Sequence, residues 1–534
     1  MLKVSLIMPA YDIAWRSIER AIDSILDQDY KNWELLVCHN GTIDNGMIWN
    51  KVEKYLTDKR IKWLHTEDSG ACLARNMGAK EATGDIWSFF SSDFVMKPGG
   101  LRTWVEYFED KPEVKMLYSG YDWTSEDYPP YPSQPYDEYI LFRGYNYIDG
   151  GMPIRKEVFV PWDESLKSLN DYEWVINIIK THKITPLYIP QHSYKADLPK
   201  PGGLSEDSSK NWKERIKYIK TKHSIPISPI CCCSYGAPSH AIKMAKLLDA
   251  DFNPNPMFKP NDYKLIYLFG FYVGTPESVR SHCSVFGDIK NKEIKKAIHW
   301  IGSDIQGMYG VSFGANRQLV KFFKDGEFIH LAEFGQTASE LLEMSLVSKI
   351  IPLPVEVDKF KVVPKPDKPV IAIYHPDSGN PHYADQYNIP LMYDIIESMP
   401  DIEFKLYGGT KQEKVKDSNV ELVGKVDMPE FIKQCSMLLR VTIHDGLPIS
   451  VVEFVLGGRE VITSINDMPG TWYCGNGRID IHNYHTRKEE IISMIRTVLK
   501  DTTPQDTKDK DIEYWKNKCD PKVYKKDIEG LLNA

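Results

Sequence analysis

The stretch VSLIMPAYDIAWRSIERAIDSILDQDYKNWELLVCHN, residues 4–40, decides the fold class of the chain. Two short apolar runs, VSLIMP (4–9) and WELLVCH (33–39), have the composition of β-strands. Between them, SIERAIDSILDQ (17–28) repeats its apolar residues with the spacing of an amphipathic helix. Strands that alternate with helices in this way indicate a largely parallel sheet with helices on both faces, so the predicted fold class is α/β.

The same alternation continues to about residue 120, with a strand pattern in IKWLH (61–65) and a helical pattern in ACLARNMGAKEA (71–82). Residues 121–150 are rich in Tyr, Pro and Asp and are interpreted as a long functional loop. The segment KADLPKPGGLSEDSSKN (195–211) is rich in Pro, Gly and Ser. It is interpreted as a domain boundary or as a mobile loop that becomes ordered over a bound donor.

Two further α/β patterns follow, and a stretch of prolines and charges, VVPKPDKP (362–369), separates them. The last two α/β units are predicted to pair around a cleft. The predicted domains are residues 1–215, 225–360 and 365–500, with a charged helical tail at 501–534.

Composition narrows the possible classes of protein. The chain has 534 residues, 42% of them hydrophobic, and its formal charge of −8 argues against broad non-specific binding to nucleic acid. No stretch reaches the ~20 apolar residues of a membrane span, which favours a cytoplasmic protein without a transmembrane segment. The nine cysteines suggest no disulfide framework, and Cys231, Cys232 and Cys233 are interpreted as part of a buried strand.

Polar side chains follow the predicted strands of the first α/β unit. Ligands bind at the carboxyl ends of the strands in open α/β sheets, so these residues are candidates for contact with a nucleotide. They are Pro9, Ala10 and Tyr11 after the first strand, His39, Asn40 and Gly41 after the second, and Asp93 after the strand WSFF.

Three segments in this order resemble family 2 glycosyltransferases of the GT-A fold: IMPAYD (7–12), SIERAIDSILDQDYKNWELLVCHNGTIDN (17–45) and GACLARNMGAKEATGDIWSFFSSDFVMKP (70–98). The resemblance covers roughly residues 3–205, and its most specific part is the block GxxxARNxGxxxAxGD, here Gly70 to Asp85. It implies a single Rossmann-like nucleotide-sugar domain. It also implies a nucleotide-sugar donor, with a UDP-sugar expected, and a glycan or glycoconjugate acceptor.

In that family, an acidic motif at this point holds a divalent metal on the diphosphate of the donor. Mn²⁺ or Mg²⁺ there offsets the charge that develops on the leaving group. Here the motif reads Ser91-Ser92-Asp93-Phe94, so the resemblance makes Asp93 the metal ligand and implies donor contacts by Ser92 and Arg75. His39-Asn40 stands where the family usually has two aspartates that face the base and ribose, which leaves the identity of the donor open.

The general base of that family lies in an acidic pair at the start of a helix. The corresponding pair here is Asn170-Asp171, in SLNDYEWVINIIK (168–180). The chemistry requires a carboxylate that can take the proton of the acceptor hydroxyl. The resemblance makes Asp171 the catalytic base, and the alternative is that Asp171 only caps the helix.

In the C-terminal part, HDGLPISVVEFVLGGREVITS (444–464) predicts a helix that begins near Pro448. Asp445 then precedes the helix, and Glu453 lies about two turns inside it. Because a helix N-terminus attracts anions, the amides near Leu447 to Ser450 are predicted to bind a diphosphate. Glu453 is predicted to hold ribose hydroxyls.

This pattern resembles the acidic-x7-acidic motif of family 4 glycosyltransferases of the GT-B fold. The resemblance covers residues 365–500 well and 225–355 weakly, and implies a pair of Rossmann-like domains without a metal cofactor. Residues 374–388 lack the Arg and Lys usual there, so Arg440 is the alternative cation for the diphosphate. The implied site consists of catalytic Asp445 and Glu453 and donor-binding Arg440, Gly446, Leu447, Pro448, Ile449 and Ser450.

Three functions remain open from the sequence. The leading one is a two-site glycosyltransferase, with inversion at the N-terminal module and retention at the C-terminal module. The second is one catalytic module joined to a non-catalytic sugar-binding or scaffold module. The third is a sugar transferase acting on modified bases in nucleic acid, against which the acidic composition counts.

Overall fold

The structure is a computed structural model, in which the chain divides into two units, Met1–Ile227 and Ser228–Ala534. The helix Leu204–Lys222 in the first unit continues past residue 215, the boundary predicted from the sequence. The residues that the structure describes are 1–11, 17–41, 48–67, 70–131, 133–198, 204–235, 237–253, 263–271, 293–302, 304–305, 308, 313–376, 385–409, 419–475, 484–500 and 505–533.

Unit 1, Met1–Ile227, alternates strands and helices as the sequence predicts. Its strands are β1 (Val4–Ala10), β2 (Trp33–Asn40), β3 (Ile61–Thr66), β4 (Ile86–Ser88), β5 (Phe94–Met96), β6 (Leu117–Tyr118), β7 (Asp122–Trp123), β8 (Ile154–Arg155), β9 (Leu187–Tyr188) and β10 (Tyr194–Ala196). Its helices are α1 (Ile18–Leu26), α2 (Trp49–Val52), α3 (Ala71–Glu81), α4 (Gly100–Asp110), α5 (Glu138–Arg143), α6 (Asn170–His182) and α7 (Leu204–Lys222). Short 3-10 helices lie at Glu53–Tyr55 and Lys156–Val158.

The central sheet of unit 1 has the strand order β3-β2-β1-β4-β8. The first four strands run parallel, and β8 is antiparallel to β4. Every residue of β1 and β2 is buried, which explains why their sequences are continuous apolar runs rather than alternating ones. The predicted α/β class is confirmed, and the antiparallel strand β8 is the departure from an all-parallel sheet.

Helix packing explains part of the glycine pattern. Helix α1 buries residues at positions i, i+3, i+4 and i+7, namely Ile18, Ala21, Ile22 and Ile25. Helix α3 lies closer to the sheet, because a Cβ on Gly78 would be 2.5 Å from Ile7 Cγ2 and 2.6 Å from Cys38 Sγ. The second glycine of the GxxxARNxGxxxAxGD block therefore has a steric function, the close approach of α3 to β1 and β2.

Glu34 is a buried carboxylate on β2 that connects three segments of unit 1. Its Oε1 accepts hydrogen bonds from Ser5 Oγ and from Thr83 N, both at 2.7 Å, and its Oε2 pairs with Lys3 Nζ at 3.0 Å. Burial alone would raise the pKa of Glu34, but these bonds outweigh burial and lower it to about 2. The ionised form therefore stabilises the folded unit.

We expect Glu34→Gln to remove up to about 3 kcal/mol from the free energy of unfolding at neutral pH. The folded-state pKa lies below the ordinary value of 4.5, so this contribution is present above pH 4.5 and disappears as the pH falls toward 2. Chemical unfolding of the full chain at several pH values measures it. The exposed Glu53→Gln is the matched control, and equal stabilities of the two variants at neutral pH would contradict the expectation.

A second sheet in unit 1, with the order β5-β10-β7, positions several candidate site residues. Asp93 directly precedes β5, and its main-chain oxygen accepts a hydrogen bond from Asp197 N at 3.1 Å, just beyond β10. Tyr194 begins β10, and Tyr121 directly precedes β7. These short strands therefore hold Asp93 and the two tyrosines beside one another.

Unit 2, Ser228–Ala534, has two six-stranded parallel sheets among its described residues. The first has the order β12-β11-β13-β14-β15-β16, from β11 (Ile230–Tyr235), β12 (Asp251–Asn253), β13 (Leu265–Phe271), β14 (Lys295–Trp300), β15 (Ile329–Ala332) and β16 (Ser348–Ile350). The second has the order β19-β18-β17-β20-β21-β22, from β17 (Val370–His375), β18 (Glu403–Gly408), β19 (Val420–Gly424), β20 (Met437–Arg440), β21 (Glu460–Thr463) and β22 (Trp472–Tyr473).

Most of the described helices of unit 2 connect these strands, and the last ones follow the final strand along the chain. They are α8 (Pro238–Leu248), α9 (Phe313–Asp325), α10 (Gly335–Glu343), α11 (Ile389–Glu397), α12 (Met428–Lys433), α13 (Ile449–Leu456), α14 (Tyr484–Leu499), α15 (Gln505–Cys519) and α16 (Pro521–Gly530), with a 3-10 helix at Val357–Lys359. None of the described helices, in either unit, has the length and apolar character needed to cross a bilayer.

The cysteine triplet lies in β11, as the sequence predicts. Cys231, Cys232 and Cys233 are fully buried. Burial raises the pKa of Cys233 to about 12, so this thiol stays protonated at neutral pH. The triplet is therefore part of the core of the first sheet.

The two sheets of unit 2 face each other at the carboxyl ends of their strands. Gly302 follows β14 and has a φ of +84°, and a Cβ there would lie 2.6 Å from Gly446 N, in the loop after β20. A Cβ on Gly446 would in turn lie 2.5 Å from Glu333 Oε2, just beyond β15. Glycines on both sides therefore permit this close contact between the two halves.

Helices α15 and α16 pack against both sheets. Trp515 of α15 is fully buried in the core that covers the second sheet, and Cys519 O accepts a hydrogen bond from Val355 N at 2.8 Å. Tyr524 of α16 is buried, and its hydroxyl is hydrogen-bonded to that of Tyr267 on β13, in the first sheet. Most of the segment predicted as a helical tail is thus helical, and it is part of the core.

Candidate active site

The carboxyl edge of the central sheet of unit 1 carries the first group of predicted donor contacts. The parallel register pairs Ala10 with His39 and His39 with His65, so these residues form a row across three strand ends. His39 Nδ1 lies 3.0 Å from His65 Nδ1, and the His39 ring stacks on Trp63 with a centroid distance of 5.2 Å. Of the predicted contacts on this edge, Tyr11 is 51% exposed, whereas the other five are buried: Pro9, Ala10, His39, Asn40 and Gly41.

Asp93, the predicted metal ligand, lies between β4 and β5. The preceding Ser92 is buried, and Asp93 itself is half-buried. Asp93 Oδ1 is buried and has no hydrogen-bond partner among the described residues. An unsatisfied buried acceptor costs roughly 1–3 kcal/mol, so this atom suits contact with a cation or with a bound ligand.

Asp171, the predicted base, lies in the first turn of α6. The residue before the helix is Leu169, which has a φ of +57°, so a leucine, and not Asp171, stands at the N-cap position. Asp171 Oδ2 accepts a hydrogen bond from Asn146 Nδ2 at 3.1 Å. Burial raises the pKa of Asp171, which makes its carboxylate a stronger base than an exposed aspartate.

Arg75 lies in α3 and reaches the start of α6. Its Nη1 donates a hydrogen bond to Asn170 Oδ1 at 3.3 Å, and its guanidinium lies over the Trp162 ring at 4.2 Å. Its charge opposes the pKa increase of both Asp149 and Asp171, so it is within electrostatic reach of both carboxyls. Arg75 Nε is buried without a partner among the described residues, which suits a phosphate oxygen of the donor.

Asp149 is a further site residue, which the sequence analysis did not single out. Its Oδ1 accepts hydrogen bonds from Gly151 N at 2.6 Å and from the Tyr194 hydroxyl at 2.9 Å. Burial and, after it, the negative charge of Asp171 raise the pKa of Asp149 to about 6. The available signal was the pair Gly150-Gly151 that follows it, since a Cβ on Gly151 would lie 2.8 Å from Asp149 Oδ1.

An aromatic stack, formed by Phe94, Tyr194, Tyr121 and Tyr131, joins these groups. Successive ring centroids are 4.5, 5.7 and 4.8 Å apart, and the interplanar angles are 16°, 16° and 1°. Burial raises the pKa of Tyr121, and three carboxylates raise it further: Asp149, Asp171 and Asp93. The predicted metal ligand, the predicted base and Asp149 therefore lie around one aromatic surface.

The donor atoms present fit a metal ion only in part. The described residues contain no group of three His, Cys, Asp or Glu side chains that could hold a metal by themselves. Mg²⁺ does not require such a set, because it commonly keeps several waters and binds one or two carboxylates together with substrate phosphates. Asp93, with its unsatisfied Oδ1, fits the part of a single carboxylate ligand.

In unit 2, Arg440 is the cation that the sequence analysis predicts to contact a diphosphate, and the structure gives it a partner within the protein. Arg440 Nη2 and Nε donate to Asp445 Oδ2 at 2.6 and 2.9 Å. The guanidinium lies over the rings of Tyr374 and Tyr387, 5.1 and 5.3 Å from their centroids, and Nη1 is 3.4 Å from Ser450 Oγ. Asp445 therefore already provides a negative partner for Arg440.

Helix α13 begins at Ile449, with Pro448 at its N-cap. The Leu447 amide, a predicted diphosphate contact, donates instead to Glu333 Oε2 at 2.7 Å. Glu453 lies in α13, where burial raises its pKa to about 7 and the charge of Lys243 opposes that increase. The Glu333 carboxyl thus lies at the Leu447 amide, where the sequence analysis expects a phosphate oxygen.

Comparison with known proteins assigns a family to part of unit 1. Residues 5–159 match the family model Glycosyl transferase family 2. The putative colanic acid biosynthesis glycosyl transferase WcaA of Escherichia coli K12 is 27% identical over 191 residues, which cover 33% of this chain and 66% of WcaA. WfgD of Escherichia coli, a UDP-Glc:alpha-D-GlcNAc-diphosphoundecaprenol beta-1,3-glucosyltransferase, is 38% identical over 120 residues, 22% of this chain and 46% of WfgD. The matched part spans less than two-thirds of either relative.

Among solved structures, TarS 1–349 of S. aureus is similar, with 18% identity, a TM-score of 0.34, and coverage of 41% of this chain and 65% of the TarS 1–349 chain. The family match includes strands β1 to β8 and, with them, Asp93 and Asp149, whereas Asp171 lies beyond its end. The N-terminal part of the chain, over residues 5–159, therefore carries a glycosyl transferase family 2 domain.

Proposed function

We propose that unit 1 transfers a sugar from a nucleotide-sugar donor, a UDP-sugar, to a hydroxyl group of a glycan or glycoconjugate. One observation carries this proposal. Asp93, which the resemblance makes the metal ligand, directly precedes Phe94 of the aromatic stack, and Asp171, which it makes the base, is hydrogen-bonded to Asn146, whose main-chain oxygen accepts from the Tyr131 hydroxyl of the same stack at 3.3 Å. The resemblance to family 2 further implies inversion at the anomeric carbon.

Asp171 is the base in this proposal. Its carboxylate takes the proton of the acceptor hydroxyl as the oxygen forms a bond to the anomeric carbon and the bond to the diphosphate breaks. Charge at the anomeric carbon then resembles that of an oxocarbenium ion. Asn146 holds one carboxylate oxygen of Asp171 and so orients the group.

Asp93 would hold a Mn²⁺ or Mg²⁺ ion together with the donor diphosphate. The ion supplies neutralisation of the charge on the leaving group. Arg75 would place its unpaired Nε–H against a phosphate oxygen, and Ser92 lies next to Asp93 in the chain. The strand-end residues, Pro9, Ala10, Tyr11 and Asn40, would contact the nucleoside.

For unit 2, we propose a binding function on a pair of facing sheets similar to GT-B, rather than a second transferase site. Arg440 is paired with Asp445, and the Leu447 amide is paired with Glu333. Both groups would have to exchange these partners before a diphosphate could bind. This favours the alternative of one catalytic module joined to one non-catalytic module.

The test of the proposed function is nucleotide release by the full chain. A panel of UDP-glucose, UDP-galactose, UDP-N-acetylglucosamine and GDP-mannose is incubated with Mn²⁺ or Mg²⁺, with and without glycan acceptors. We expect release of UDP from at least one donor, and we expect a chelator to suppress it. Release at the background rate for every donor and acceptor would contradict the proposal.

Asp149 gives a pH-dependent prediction. Asp171 must be ionised to act as a base, so kcat/KM should fall on acidification with a midpoint above the ordinary range of an aspartate. Burial and then the charge of Asp171 raise the pKa of Asp149, whereas burial, and not Asp149, raises the pKa of Asp171. Asp149→Asn should therefore leave that midpoint where it is, as should Asp110→Asn, the same change at an exposed position. The pH profile of kcat/KM measures both midpoints, and a move to lower pH in Asp149→Asn alone would show that Asp149 is ionised while Asp171 titrates.

A further inference from the structure

Unit 2 has a cavity of about 790 Å³, a volume in the range of small-molecule sites. We call it the unit 2 cavity. It lies at the carboxyl ends of β20 and β21, and residues of α10, from the first half of the unit, and of α15 also line it. Ligands of open α/β sheets bind at this edge of the strands.

Aromatic rings form part of the cavity wall. Tyr473 of β22 and Tyr514 of α15 both line it, and they are 45% and 38% exposed. Phe334, before α10, adds a third ring. Exposed rings of this kind offer a flat apolar surface, and the C–H face of a pyranose ring is a flat apolar partner for it.

Two buried polar atoms of the wall lack partners. Thr442 Oγ1 and His444 Nδ1 have no hydrogen-bond partner among the described residues, and these side chains are only 2% and 7% exposed. Leaving such atoms unsatisfied costs roughly 1–3 kcal/mol each. Because neither atom is accessible in the unliganded chain, the Thr442 hydroxyl and the His444 ring would have to turn toward the cavity to meet a ligand, and a sugar hydroxyl, which both donates and accepts, would then relieve this cost.

The charges of the wall argue against a phosphate ligand. Three carboxylates, Glu340, Asp445 and Asp467, line the cavity, and Lys518 is the one lysine or arginine among its lining residues. Glu340 is held by His444 Nε2 at 2.8 Å, and Asp445 already has its arginine partner. These pairs leave Asp467 beside Lys518, so the wall offers a diphosphate no surplus of positive charge, whereas an uncharged ligand needs none.

We propose that the unit 2 cavity binds an uncharged carbohydrate, a segment of the glycan that unit 1 extends. The identity of the glycan rests on the proposed function, whereas binding of carbohydrate rests on the cavity alone. A glycan held on the same chain as the transferase site has a raised effective concentration there. Unit 2 then has a function that requires neither a free Arg440 nor a free Leu447 amide.

The test is direct binding of uncharged tetrasaccharides to the full chain. Cellotetraose, maltotetraose, laminaritetraose and chitotetraose are each titrated by calorimetry and by saturation-transfer NMR. We expect at least one to bind, and we expect Tyr473→Ala to weaken its affinity roughly tenfold. Asn466→Ala, at an exposed polar position of the wall, should weaken it as well. UDP should not displace the sugar.

Tyr218→Ala is the matched control, because Tyr218 is 42% exposed and lies in unit 1. It should bind the tetrasaccharide as the wild type does. The proposal is overturned if no tetrasaccharide binds, if neither Tyr473→Ala nor Asn466→Ala changes the affinity, or if UDP displaces the sugar. Tetrasaccharide binding by a chain that releases no nucleotide would reject the proposed function of unit 1 and would support the cavity as a carbohydrate site.

Discussion

Asp171→Asn is expected to lower kcat for sugar transfer by roughly 10²- to 10⁴-fold, the range that a positioned general base contributes. An amide cannot take the proton of the acceptor hydroxyl, although its size is nearly that of the carboxylate. The hydrogen bond from Asn146 can persist, because the amide oxygen still accepts it. The KM for the donor should therefore change little, and steady-state kinetics with each substrate varied separates the two constants.

Two controls make this result specific. The exposed Asp110→Asn makes the same chemical change outside the site and should keep the kcat of the wild type. The thermal midpoint of Asp171→Asn should match that of the wild type, since no buried ion pair is broken. A kcat within tenfold of the wild-type value would mean that another group takes the proton, and Asp149 would be the nearest candidate.

Asp93→Asn should remove the effect of Mn²⁺ on donor binding. The buried Oδ1 of Asp93 has no partner in the described protein, so the substitution should break no internal hydrogen bond of that atom. Loss of one outer partner of a metal ligand typically costs 10–100-fold in metal affinity, so loss of a direct ligand should cost roughly 100-fold or more. Calorimetric titration of a UDP-sugar with and without Mn²⁺ measures the effect.

The exposed Asp110→Asn is the control for this substitution, and Mn²⁺ should strengthen its donor binding as in the wild type. Binding in the absence of metal should be similar in both variants, because the strand-end contacts to the nucleoside are unchanged. If Mn²⁺ strengthens donor binding equally in Asp93→Asn and in Asp110→Asn, Asp93 is not a metal ligand.

Local pattern was sufficient to predict the main elements of unit 1. The apolar runs at 4–9 and 33–39 became β1 and β2, and the helical patterns at 17–28 and 71–82 became α1 and α3, with ends within two residues. These signals are local, since they depend on the spacing of apolar residues along one element. The position of Asp171 at the start of a helix was expected from the resemblance to family 2 rather than from local spacing, and α6 begins at Asn170.

Contacts between distant segments were not predictable from the sequence. Asp149 became a site residue only because β10 brings Tyr194 to it, across 45 positions of the chain. In unit 2, the bond from the Leu447 amide to Glu333 spans 114 positions. At some helix N-termini a carboxyl group of the protein binds the amides, and at others the amides are available to a phosphate. No local sequence pattern distinguishes these two cases.

The loop predicted at 195–211 and the segment 374–388, which lacks Arg and Lys, each lie partly outside the described residues. Residues 199–203, in the centre of the predicted loop at 195–211, lie outside the described residues, and that prediction stands as made. Of the two histidines in 374–388, His382 also lies outside them, whereas His375 is buried at the end of β17 and its Nε2 lies 3.0 Å from the Tyr393 hydroxyl. His375 is thus packed inside the second half of unit 2, beside α11.

The packing of α16 on β13 has a consequence for synthesis of the protein on the ribosome. Tyr267 and Tyr524, whose hydroxyls bond, are 257 positions apart, which corresponds to about 13–50 s of translation. The first sheet of unit 2 therefore emerges long before the helix that covers it, while unit 1 can fold as soon as it has left the exit tunnel. During that interval the nascent chain exposes an apolar sheet face, which makes unit 2 the expected client of chaperones.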